Sequence, residues 1–180
     1  MAVDVKQMIA ETLAQLLERK SVDKVTVKEL VDACGISRQA FYYHFQDIME
    51  VIEWITAQSL QEAVTVSLAA PTPQEALKAV ILSLRENGRL IRHLMSSQRR
   101  PEIGRLLVHS ARTYLGEMIR ARASGLAVRP ADLETAIHFH SYGLVGMLME
   151  TLDENRDAET MANQFYGLIT GALWSGAGVP

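Results

Sequence analysis

Thr26-Val27-Lys28-Glu29-Leu30-Val31-Asp32-Ala33-Cys34-Gly35-Ile36-Ser37-Arg38-Gln39-Ala40-Phe41-Tyr42-Tyr43-His44-Phe45 is the stretch whose reading decides the fold. Thr26 with Glu29 three positions on is a capping box, in which hydroxyl and carboxylate reciprocally satisfy N–H groups that a helix start leaves unpaired. The spacing predicts a helix from Val27, with Val27, Leu30, Val31 and Cys34 on one apolar stripe. Gly35 can take the left-handed conformation that ends a helix without a Cβ penalty, and Ser37 caps the helix that follows. At about 100° per residue that second helix turns Phe41 and Phe45 toward a core shared with Ile36, and Gln39, Tyr42 and Tyr43 away from it, with Arg38 on the flank. Two capped helices around a glycine break make a helix-turn-helix. The outward face suits DNA, because Arg and Gln can read base edges while tyrosine hydroxyls bond phosphates. The bland alternative for the same residues is a surface helix with a few exposed aromatics.

Working outward, residues 4 to 20 read as a first helix with Ile9, Leu13, Leu16 and Leu17 as its core stripe, and Ser21 to Val25 as a connector. Three short helices bury too little by themselves. Asp47 can cap a long fourth helix running through Ile48, Val51, Ile52 and Ile55 to about Ser67, roughly 30 Å at 1.5 Å per residue. Pro71-Thr72-Pro73 closes it. Helices then follow from about Gln74 to Asn87, with Gly88 as a break, over Leu90 to Met95, from Pro101 to about Met118, from Pro130 to about Leu152, and from about Asp157 to Trp174. No period-2 alternation or hairpin turn interrupts them. The expected protein is all-α: a three-helix helix-turn-helix head at residues 1–46, joined by a long helix to a C-terminal helical bundle within 47–180, about nine helices altogether.

The chain has 180 residues, 48% of them hydrophobic, enough for one or two small domains. Its net charge is −3, and residues 1–47 carry six cations against seven anions. DNA affinity therefore has to come from placed groups such as Lys24, Lys28 and Arg38, with helix N-termini adding partial positive charge. A single cysteine, Cys34, excludes an intramolecular disulfide and reads as core filler. Met1 to Lys20 has no signal-peptide core, and no run approaches the ~18 apolar residues of a membrane span, so a cytoplasmic protein is expected. His138 and His140 lie about 200° apart on a helix and cannot share a metal. Glu134 and His138 share a face without a second half-site, and His109-Ser110 has neither acid nor oxyanion loop beside it. No metal, cofactor or enzymatic activity is called for.

The motif, above all Gly35 to Phe45, resembles the DNA-binding signature of the TetR family of transcriptional regulators, over roughly the first 55 residues. The resemblance implies a homodimer that places one helix per protomer in the major groove of a palindromic operator. TetR-like proteins often carry a phosphate-touching lysine early in the fourth helix, where this chain reads Gln46-Asp47-Ile48. The wording from Arg38 to Asp47 also resembles a branch that includes activators of dihydroxyacetone-kinase operons, whose effector is another protein.

The expected DNA contacts are Arg38 and Gln39 on base edges, with Thr26, Val27, Lys28, Ser37, Tyr42, Tyr43 and His44 on or near the phosphates. The last two helices carry apolar and small residues beyond a single core stripe: Phe139, Tyr142, Gly143, Gly146 and Met147 on one, Tyr166, Gly167, Thr170, Gly171 and Trp174 on the other. Mid-helix glycines cost about 0.5–1 kcal/mol each against alanine, which points to close helix approach, and this pair is the expected dimer interface. A mostly apolar pocket with His93, Ser110, Tyr114 and His140 as its polar groups would take a small-molecule effector, although each could be a satisfied core residue. A second function class fits the near-neutral head: a helical adaptor docking a protein instead of DNA.

Overall fold

A computed structural model of the chain describes residues 4–122, 129–151 and 157–171, and among these there are nine α-helices and no strand. They are α1 (Val5–Leu17), α2 (Val27–Cys34), α3 (Arg38–His44), α4 (Ile48–Ala69), α5 (Pro73–Glu86), α6 (Gly88–Met95), α7 (Arg100–Arg122), α8 (Pro130–Thr151) and α9 (Ala158–Thr170). The chain divides into two compact units, residues 1–59 with 89–106, and residues 60–88 with 107–180. The boundaries fall inside α4 and α7.

In the first unit, α1 starts on Asp4, whose carboxylate accepts the N–H groups of Lys6 and Gln7. It stops three residues before the sequence suggests, because the chain turns at Leu17 toward a 3-10 turn, Val22–Lys24, capped by Ser21. Ile9, Leu13 and Leu17 are buried as expected, whereas Leu16 is only half-buried and Ala10 takes a core place. Helix α1 packs on α2, and α2 on α3. Phe41 and Phe45 are buried with ring centroids 6.1 Å apart, and Trp54 of α4 meets Phe45 edge-on at 6.3 Å. Helix α4 begins on Asp47, which accepts the Glu50 N–H at 3.0 Å, while the Glu50 carboxylate accepts the N–H of Gln46.

The second unit is built around Leu77 and Ile81 of α5, Tyr114 and Leu115 of α7, Leu148 of α8, and Met161, Ala162 and Phe165 of α9. Thr72 caps α5 with Pro73 in its first turn, where the missing N–H costs nothing. The break expected at Gly88 comes one residue earlier: Asn87 leaves the helix, and buried Gly88 begins α6. Gly171 is also not a mid-helix residue. At φ 73° it is the left-handed C-cap of α9, so a turn, not close approach, explains this glycine.

Helix α4 has no basic residue in its last turn, and Pro71 cannot donate a hydrogen bond to its end. The Ala70 N–H donates to the Ser67 carbonyl at 3.3 Å, and Arg122 adds donors, its guanidinium reaching the carbonyl oxygens of Ser67 and, at 2.8 Å, Ala70. Beside it the Tyr114 hydroxyl donates to Ser67 Oγ at 2.9 Å, both residues being buried. Burial holds the Tyr114 phenol above its ordinary value of 10.0, against opposing pulls from the Ser67 hydrogen bond and the Arg122 charge. Folding thus favours the neutral phenol; this contribution is complete below pH 10.0 and is lost as pH rises through the folded-state value. Denaturant midpoints should fall as pH climbs past 10.0, and fall less steeply in Tyr114→Phe. Parallel slopes in the two proteins would refute this.

Candidate nucleic-acid interface

The helix-turn-helix is assembled from local bonds. Thr26 Oγ1 accepts the Glu29 N–H at 3.2 Å, but the Glu29 carboxylate, expected to reach back to the cap, pairs instead with Lys20 Nζ. Gly35 ends α2 at φ 67°, and the Ile36 N–H closes a six-residue loop onto the Val31 carbonyl at 3.1 Å, a Schellman ending. Ser37 Oγ then accepts the Ala40 N–H at 3.1 Å and starts α3. Cys34 is half-buried.

The burial of Phe41 fixes what α3 presents. Tyr43 is 85% and Tyr42 57% exposed. Arg38, Gln39 and Ser37 are exposed and His44 is half-buried, its ring edge-on to Tyr43 at 5.0 Å. At the start of α2, Thr26 and Lys28 are exposed and Val27 is half-buried. The nine residues singled out in the sequence therefore lie at two helix starts and along α3 within a single unit, Val27 and His44 half-buried and the other seven exposed.

The four pocket residues are divided between the two units. His93 belongs to the first unit, where its Nδ1 lies 2.6 Å from the Leu17 carbonyl oxygen. Ser110, Tyr114 and His140 belong to the second; Ser110 and His140 are half-buried, and the Tyr114 hydroxyl is engaged by Ser67. Two open clefts of that unit, about 290 and 370 Å³, are lined instead by residues such as Thr72, Lys78 and Glu159, and His109, Arg112 and Glu134. Glu134 faces Arg112 at 3.7 Å, and among the described residues no group of three or more His, Cys, Asp or Glu side chains could hold a metal ion.

On α8, Phe139 is 74% and Tyr142 60% exposed, and a Cβ placed on Gly143 or Gly146 would meet open space. Met147 and Tyr166 are half-buried, Gly167 is buried and Thr170 exposed; Trp174 lies outside the described residues. Among the described residues no helix is long and apolar enough to cross a membrane.

Capped helices around a glycine break, with a polar and aromatic face turned outward on a helical scaffold, define a helix-turn-helix DNA-binding regulator. Residues 9–53 match the family described as bacterial regulatory proteins, tetR family, and residues 71–171 match a family described as transcriptional regulator C-terminal region. The chain belongs to the TetR family of transcriptional regulators, which are DNA-binding proteins and not enzymes.

Among its relatives is the uncharacterized HTH-type transcriptional regulator YerO of Bacillus subtilis (strain 168), 30% identical over 82 residues, a match taking in 42% of this chain but only 28% of that protein's length. The fold is similar to that of the dihydroxyacetone kinase operon activator DhaS, with a TM-score of 0.71 at 16% identity over 95% of this chain and 97% of that one. It is also similar to a TetR transcriptional regulator from Streptococcus agalactiae 2603V, with a TM-score of 0.67 at 15% identity over 91% and 92%.

What sequence reasoning missed is Arg122, whose partners are carbonyls more than fifty residues away. An available signal was a helix end with no basic residue of its own followed by prolines. Because Ser37 both ends the turn and starts the reading helix, Ser37→Ala should destabilise the fold by about 1 kcal/mol, measured as a lowered urea midpoint at constant slope; an unchanged midpoint would show that the cap contributes nothing.

Proposed function

We propose that the chain acts as a homodimer on a palindromic operator, each protomer placing α3 in a major groove, with half-sites one helical turn or more apart. The observation that carries this reading is the exposure of Gln39, Tyr42 and Tyr43, with Arg38 exposed on the flank, along α3 while Phe41 is buried. Arg38 and Gln39 reach base edges. Lys28, Tyr42, Tyr43, His44 and the capped starts at Thr26, Val27 and Ser37 hold phosphates. Residues 1–46 are the reading domain, and residues 47–180 the pairing and sensing domain. A small molecule or partner protein bound there alters the spacing of the two heads through α4, so DNA affinity changes by geometric mismatch. The protein works in the cytoplasm, where its operator is.

A duplex enriched from a random pool by the wild-type protein provides the test. Gln39→Ala should relax sequence preference at one position by about 1–3 kcal/mol of discrimination, while Tyr42→Phe should weaken selected and scrambled duplexes alike. If neither substitution alters binding, these roles are wrong.

Pairing is assigned to α8 and α9, on the strength of Phe139 and Tyr142 standing exposed around two glycines with open space above them. Their backbones are accessible to a second helix at short range, and Met147, Tyr166 and Thr170 extend the face, whereas Gly167 is buried inside the protomer. Phe139→Glu with Tyr142→Glu should leave helix content intact and weaken the dimer by at least about 2 kcal/mol per anchor, the scale of interface hot spots. Sedimentation at micromolar concentration should then find monomers; an undisturbed dimer would place the interface elsewhere.

A further inference from the structure

The segment Arg89–Leu106 belongs to the same compact unit as the helix-turn-helix. It carries Arg89, Arg92, Arg99, Arg100 and Arg105 against one acid, Glu102, and all five arginines are exposed. Residues 1–47, by contrast, are one charge short of neutral. Two bonds tie the segment to the head. His93 Nδ1 lies 2.6 Å from the Leu17 carbonyl oxygen, and since a carbonyl only accepts, that ring nitrogen carries the proton. The Gln98 N–H donates to Asp23 Oδ2 at 3.0 Å. Asp23 sits in the 3-10 turn Val22–Lys24, and Thr26, the cap of α2, is at most about 11 Å of chain further on. The corner between α6 and α7 is thus pinned beside the stretch that leads into the DNA-facing start of α2, with exposed Arg19 and Lys24 on the same stretch.

We propose that this corner, Arg99 and Arg100 foremost with Arg105 behind, is a second phosphate-contact surface that takes the DNA backbone flanking each half-site. The inference rests on the DNA reading of the head and extends it to residues outside the helix-turn-helix. Guanidinium groups suit the role because their planar fork grips phosphate oxygens in pairs. The Arg99 to Glu102 pair at 3.2 Å is exposed on both sides, so it offers a phosphate little competition. DNA is favoured over an acidic protein because the positive charge missing from the reading head is found on a segment fixed to it.

Counterion release supplies a readout that a structural role would not move. Each phosphate neutralised adds about 0.9 to the slope of log affinity against log salt, so Arg99→Gln with Arg100→Gln in the full chain should lower that slope by about 1.8. Binding to the enriched duplex and to a scrambled duplex of equal length should weaken by the same factor, and Arg99→Lys with Arg100→Lys should restore most of the slope. Trimming the duplex to the bases that α3 reads should bring the wild-type slope down to that of the glutamine variant. A thermal melt checks folding, and Arg100→Gln alone, expected to remove about 0.9, serves if the double variant melts early. Wild-type binding with an unchanged slope in the folded variants overturns this inference alone, including when the corner is then found to bind an acidic protein. Failure of the wild-type protein to bind any duplex overturns the reading of the head as well.

Discussion

The reading head depends on the burial of Phe41, which is fully enclosed while its neighbours Tyr42 and Tyr43 stand in solvent. A helix of seven residues is far below the length that is stable alone in water, so tertiary packing has to hold α3 in place. Burying a phenylalanine is worth about 1.5–3 kcal/mol. A roll of α3 that exposed Phe41 would forfeit this and drive tyrosine hydroxyls inward, at about 1–3 kcal/mol for each left without a partner. Both terms oppose the same motion. The rotational setting of α3, and with it the direction of Arg38 and Gln39, is therefore fixed from below by the core and from its start by the Ser37 cap.

This is also why so much of the head was legible in the residues. Caps, the Gly35 break and the phenylalanine spacing act over four residues or fewer, and the helix period turns them directly into faces. Helix existence in both units followed from the same period, with ends displaced by a few residues at Leu17, Asn87 and Gly171. The pairing of polar groups was not legible. Glu29 turns to Lys20, His93 to Leu17, Tyr114 to Ser67 and Gln98 to Asp23, across separations of 9, 76, 47 and 75 residues. Periodicity states which side of a helix a group occupies and nothing about which distant group meets it there. Hence the exposed residues of α3 could be named from sequence, whereas for His93 and Tyr114, offered there as pocket groups or satisfied core residues, the internal partners could not.

The end of α4 shows how one such long-range pairing can carry mechanical meaning. A helix leaves its last carbonyls unpaired, and the prolines after Ala70 withhold the N–H groups that would ordinarily follow. The Ala70 N–H reaches back to the Ser67 carbonyl at 3.3 Å, a single bond that leaves the last turn weakly held. Two residues of α7 reinforce it, Arg122 at the carbonyls of Ser67 and Ala70, and Tyr114 at the Ser67 side chain. The proposed control of DNA affinity through α4 requires that a displacement in the second unit move the helix instead of being absorbed by a loose end. A guanidinium spread over two carbonyls and a buried hydroxyl pair serve that requirement, because leaving the buried pair unmatched costs about 1–3 kcal/mol per group. Since Ser67 is a small residue with both its hydroxyl and its carbonyl engaged, it is the point at which the stiffness of α4 and the position of α7 become one variable.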